Sequence, residues 1–125
     1  MNNLHLIISA FIVIFMTFVY GFAPDFIFNI HNNELDLKNV LKAFSGLYLG
    51  FATLWIIGIF NNKFWTTATI SNLIFMFGLA LGRIVSFTVD GLASPILIVG
   101  TFGELILGFF ALHQLKKHST AAIKN

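Results

Sequence analysis

The chain has 125 residues, 58% of them hydrophobic and 10% charged, too few charges to coat a soluble domain of this size. It has no cysteine, which excludes disulfides, thiolate chemistry and cysteine metal sites. The formal net charge of +2 comes from lysines and one arginine scattered near segment ends, a pattern of membrane topology and not of nucleic-acid binding. The length admits a single domain, and the expected fold is all-α: a polytopic membrane protein built as a four-transmembrane-helix antiparallel bundle.

A bilayer core about 30 Å thick takes about 20 apolar residues per helix. Four segments qualify, at about 4–22, 37–60, 64–89 and 95–115, leaving 116–125 as a tail that is polar and frayed from His118 on. The first carries no charge and stops at Pro24. Gly21-Phe22-Ala23 resembles a signal cleavage site, but no basic residue precedes the run and Pro24 follows the cut, so a retained helix is the better reading. The connection from Ala23 to Asn39 mixes Phe26, Ile27 and Ile30 with Asp25, Glu34 and Asp36, and is expected to lie along the membrane surface. Glu34 and Lys38 stand four apart in the favourable order, so the second helix begins before the lipid does.

Asn61-Asn62-Lys63 reads as a tight turn between the second and third helices. Asp90-Gly91-Leu92-Ala93-Ser94-Pro95 is the next joint. Gly91 is suited to the left-handed conformation that closes a helix. Ser94 is the expected cap of the fourth, with Pro95 at its first position.

Four helices bring both termini to one side, with Lys63, Lys116, Lys117 and Lys124. Lys38 lies on the other, with Lys42 and Arg83 nearby and most of the acids. The positive-inside rule then places both termini in the cytoplasm. Trp65 belongs near the inner interface. His5, His113 and His118 also belong near the inner surface and His31 outside, so the histidines form no metal set, and no metal or cofactor is expected. Thr66, Thr67, Thr69, Ser71 and Asn72 make the start of the third segment polar, most of which capping and back-bonding to carbonyls account for. No G-x-S-x-G, phosphate loop or dinucleotide fingerprint occurs, so an enzyme is the least favoured reading.

The sharpest feature is Arg83, roughly 9 Å below the outer end of the third helix at 1.5 Å per residue. Glu104 lies roughly 13 Å below the same surface on the fourth. Side chains lean toward their own helix N-terminus, so across a short turn Arg83 leans down and Glu104 leans up until they meet. Unpaired, a charge such as Arg83 at a helix centre costs about 2.5–3.5 kcal/mol on insertion scales. Gly82, Ser86 and Asp90 follow at four-residue spacing, with Lys42 and Tyr48 on the second helix. Together Lys42, Tyr48, Arg83, Ser86, Asp90 and Glu104 outline a polar pocket opening outward. Gly46 and Gly50, and Gly78 and Gly82, match G-x-x-x-G, and Gly100 and Gly108 flank Glu104 on one stripe. These six are expected to pack helices, within the bundle or across a homodimer.

The stretches "KAFSGLYLGFATLW", "FGLALGRIVSFTVDG" and "SPILIVGTFGELILGFFAL" resemble a bacterial domain-of-unknown-function family of small four-helix membrane proteins, similar in build to the DoxX-like group. The resemblance spans about Lys42 to Leu112, and G-R-x-x-S-x-x-x-D-G is its most specific element. It implies Lys42, Arg83, Ser86, Asp90 and Glu104 as the characteristic polar positions. It implies no activity.

Two functional expectations follow. The first is a binding or accessory membrane protein, whose pocket holds a small amphipathic or anionic molecule, such as a lipid or a quinone-like headgroup. The expected partners are the lipid bilayer, that ligand, and a second copy or another membrane protein, with no nucleic acid. The second is a proton-coupled exporter working as a dimer, with Glu104 carrying the proton. A structural pair that only fixes helix register is the third.

Overall fold

The computed structural model describes residues 2–23 and 35–124. Within them are four helices, α1 Leu4–Phe22, α2 Leu35–Phe60, α3 Trp65–Val89 and α4 Pro95–Lys124. Each is long and apolar enough to cross a membrane. In lipid every backbone N–H and C=O must be satisfied within the chain, so apolar runs without internal proline become helices. Residues 24–34 of the first connection, with His31 and the proposed Glu34–Lys38 pairing, lie outside the described residues.

The other two joints are short. A single 3-10 turn, Asn62–Phe64, links α2 to α3, and the Asn61 side chain accepts from the Lys63 N–H at 3.1 Å. Between α3 and α4, Gly91 has φ of 103°, the one positive φ among the described residues. Here a side chain is strained, so glycine belongs. Ser94 differs from expectation. Its carbonyl, not its hydroxyl, serves the start of α4, accepting from Leu97 N–H at 3.0 Å and Ile98 N–H at 3.3 Å. With the Leu97 N–H taken in this way, the hydroxyl is left without a partner among the described residues.

α4 also runs on where the sequence reading ended it, through the expected tail to Lys124. Nothing in that stretch breaks a helix. It holds neither proline nor glycine, and the Thr120 hydroxyl donates to the Lys116 carbonyl at 3.0 Å.

The helices alternate in direction, with both chain ends at one end of the bundle, the termini end. α1 packs most closely on α2, and α3 on α4. Near the Asn62 turn α2 and α3 also meet closely, because a Cβ on Gly58 would collide with that of Ala68. Trp55, Trp65, Ala52 and Leu6 form the tightest part of the core, at most 1% exposed. Toward the far end the same two helices part. Gly78 and Gly82 face space there, with nothing within 4 Å of where a Cβ would stand.

Candidate functional site

All four helices contribute to a cavity of about 200 Å³ in the far half of the bundle. Its wall is mostly aliphatic, with Val13 and Met16 from α1, Met76 and Leu79 from α3, and Leu107 from α4. Tyr20, Tyr48, Arg83 and Glu104 are its polar members. Beside it, between α2 and α3, runs an outer groove of about 510 Å³, lined by Phe44, Leu47, Gly78, Gly82 and Ser86. Tyr20, Tyr48, Leu79 and Arg83 border both spaces. They form a partition between the bundle's interior and its flank.

Arg83 and Glu104 meet as the lean of their helices predicts. Arg83 Nε donates to Glu104 Oε1 at 3.0 Å and to Oε2 at 3.1 Å. The side chains are 20% and 12% exposed, so the pair is mostly enclosed. Because both oxygens sit on Nε, the fork formed by the terminal guanidinium nitrogens is directed elsewhere. Tyr20 and Tyr48 stand with Arg83 on the same wall, bordering both the cavity and the groove. The two tyrosine rings stand edge to face at 5.4 Å, and Phe75 backs Tyr48 at 5.2 Å. Charge, hydroxyls and aromatic edges therefore form one connected layer across α1, α2, α3 and α4.

The other predicted positions divide. Tyr48 belongs to the layer. Ser86 lines the outer groove, and its hydroxyl donates to Asp90 Oδ2 at 3.0 Å. Asp90 is exposed and borders neither space, and Lys42 is exposed and borders neither. Lys42 follows the buried Leu41, and one residue further turns a helix by about 100°, carrying the ammonium off the interior face. Of the six glycines expected to pack helices, Gly108 does so, since a Cβ there would stand 2.6 Å from the Phe77 ring. Gly46, Gly50, Gly78, Gly82 and Gly100 have nothing within 4 Å at that position, so they seat no neighbouring helix within the bundle. Gly100 instead borders the cavity.

Sequence reasoning missed Tyr20. It sits in a helix without charge, and only the closing of α1 against α3 brings it to Arg83. It missed a second feature at the termini end, where His5, Ser9, Thr69 and Asn72 are all 0% exposed. Thr69 and Asn72 do not back-bond to carbonyls as expected. Thr69 faces His5 at 3.1 Å, whereas Ser71 does back-bond, donating to the Ala68 carbonyl at 2.8 Å. The signal was present as spacing, because His5, Ser9 and Val13 lie four apart on one buried face. Among the described residues no three of His, Asp or Glu are grouped to hold a metal ion.

No curated protein and no solved structure matches the chain. A family model does match, over residues 1–115, a span that takes in α1 with Tyr20 as well as the charged pair. The chain belongs to that family, a domain of unknown function (DUF4345).

Proposed function

We propose that this protein binds a small amphipathic molecule within the membrane, its polar head at Arg83 and its apolar body among the aliphatic side chains of the cavity. The observation that carries the reading is the Tyr20–Tyr48–Arg83–Glu104 layer bounding an otherwise apolar space. Intramembrane ionisable residues are functional by default, and apolar walls with a few convergent polar groups are what small-molecule sites look like. At about 200 Å³ the cavity falls below the roughly 300 Å³ of common ligand sites. It suits a ring or a short head, with the remainder of the molecule in the outer groove. Glu104 cancels the charge of Arg83, so a neutral hydrogen-bonding head is favoured over an anion. Glu104 orients Arg83, Tyr48 adds a hydroxyl, and Ser86 lines the groove with its own hydroxyl held by Asp90. Lys42 is assigned to the interface, where its stem lies along lipid and its head reaches water.

The same reading places the protein in a bacterial inner membrane with cytoplasmic termini. Support comes from Lys63, Lys116 and Lys117 at the termini end. The exporter alternative, a dimer with Glu104 carrying the proton, draws on the same pair and needs in addition a second copy.

Native mass spectrometry of the protein released gently from its own membrane tests the proposal. The wild type is expected to carry a defined extra mass, reduced in Glu104→Gln and lost in Arg83→Ala. Retention in a folded Arg83→Ala variant equal to that of the wild type sinks the reading.

A further inference from the structure

The termini half of the bundle interior carries polar groups that the Arg83 layer does not use. His5 and Ser9 of α1 and Thr69 and Asn72 of α3 are 0% exposed, and Trp65 is 1% exposed. Beyond the His5–Thr69 contact the set is unsatisfied. His5 Nδ1, Ser9 Oγ, Trp65 Nε1 and both amide atoms of Asn72 have no partner among the described residues.

One register gathers them. α1 and α3 point the same way. His5 meets Thr69 at a sequence separation of 64, and Tyr20 and Arg83, at a separation one smaller, border the same two spaces. The rise of 1.5 Å per residue then sets Ser9, about 6 Å beyond His5, level with Asn72, about 4.5 Å beyond Thr69. One turn further come Val13 and Met76, 3% and 2% exposed, which also line the cavity. Along the bundle axis the order is therefore polar seam, a layer of Val13 and Met76, cavity, and charged layer.

The chemistry of the seam selects its occupant. Trp65 Nε1 only donates, Asn72 both donates and accepts, and Ser9 and His5 do either. Among the described residues the seam holds no carboxylate, lysine or arginine. Its titratable groups are His5 and, at its mouth, His118, whose ring lies 4.9 Å from that of Trp65. An ion brought there has no counter-charge, and burying it is costly. An apolar guest leaves the same atoms unpaired. A small neutral species that donates and accepts in several directions satisfies all of them, which is how buried water serves such groups.

We infer that the seam between α1 and α3 is an internal water site, a hydrated inlet rising from the termini end and closed off from the cavity by Val13 and Met76. It brings water and exchangeable protons to within one helical turn of the space that holds Arg83 and Glu104. The inference does not depend on what that space binds.

Two measurements on the full chain in phosphatidylcholine vesicles test it. In water-edited solid-state NMR, magnetisation is expected to pass from water to the Asn72 side-chain amide and to Ser9, and not to Ala52, which is 0% exposed in the core. In vesicles loaded with a pH-sensitive dye, Met76→Ser opens the closing layer and should raise proton leak at least about tenfold over wild type. Adding Asn72→Leu should abolish that leak. Should the serine variant not be monodisperse, Met76→Gln, closer in volume, takes its place. No water transfer to Asn72 overturns the inference. So does a tight vesicle with the layer opened, or a leak that Asn72→Leu leaves unchanged.

Discussion

The far half of the bundle buries a charge and leaves space beside it, while the termini half, among the described residues, buries no charge and leaves polar atoms without partners. In the far half Arg83 is met by Glu104, 3.0 Å away, and shares the cavity wall with Tyr20. In the termini half Asn72 and Trp65 are sealed in with amide and indole groups unpaired among the described residues. The contrast reflects relative cost. An isolated ion in a low-dielectric interior is expensive enough that the chain must supply its own counter-ion. A neutral amide or hydroxyl costs less and can be served by a single solvent molecule. Packing follows the same division, with α2 and α3 touching at Gly58 and Ala68 and parting at Gly78.

The largest effect should come from breaking the charged half. Arg83→Ala strands Glu104 and is expected to destabilise by about 3–5 kcal/mol, the usual cost of orphaning one partner of a buried pair. Replacing both Arg83 and Glu104 by leucine should recover most of that loss, read as thermal unfolding in detergent. Should the single variant be no worse than the double, charge pairing is not what distinguishes the halves.

The packing contrast has its own test in two substitutions on the same helix pair. Gly58→Leu pushes a side chain into Ala68 and should cost about 1–3 kcal/mol as an overpacked contact. Gly78→Leu, at the open end, should stay within about 0.5 kcal/mol. Equal costs would show that α2 and α3 close along their whole length.

A smaller effect is expected at Trp55, whose Nε1 donates to Ser71 Oγ at 3.1 Å. Trp55→Phe loses that bond at about 1 kcal/mol, because Ser71 keeps its bond to the Ala68 carbonyl. Smallest of all is Gly46→Ala, expected to change stability by no more than about 0.5 kcal/mol. Light scattering on that variant sharpens the picture further. Conversion of a dimer to a monomer would assign the open glycine face of α2 to a second copy.

The helices and the charged pair were legible in the sequence, because lipid enforces helicity on apolar runs and a short turn forces neighbours together. Arg83 and Glu104 needed only the lean of side chains and the six-residue joint at Gly91. What the sequence left open was rotation about each helix axis. Lys42 has the right depth for the pocket and the wrong face. His5 was placed near the surface by its position in the chain, yet it is buried because its face looks inward. The glycine patterns show where two backbones are able to approach and say nothing of which backbone arrives. Gly108 finds Phe77, whereas Gly46 and Gly50 find nothing. Tyr20 was out of reach for the same reason, since α1 joins the layer through tertiary packing alone.

The length of α4 has a mechanical consequence. Its 30 residues span about 45 Å at 1.5 Å per residue, against a hydrocarbon core of about 30 Å. About ten residues therefore overhang at the termini end, carrying the exposed Lys116 and Lys117. Gly108, wedged against Phe77, is a natural fulcrum, with Glu104 on the short arm and the Lys124 backbone about 24 Å away on the long one. A rocking of about 10° sweeps the overhanging tip through roughly 4 Å, several times the travel at Glu104. If α4 pivots at Gly108, a spin label at Ser119, eleven residues along the long arm, moves more than twice as far as Glu104, four residues along the short one.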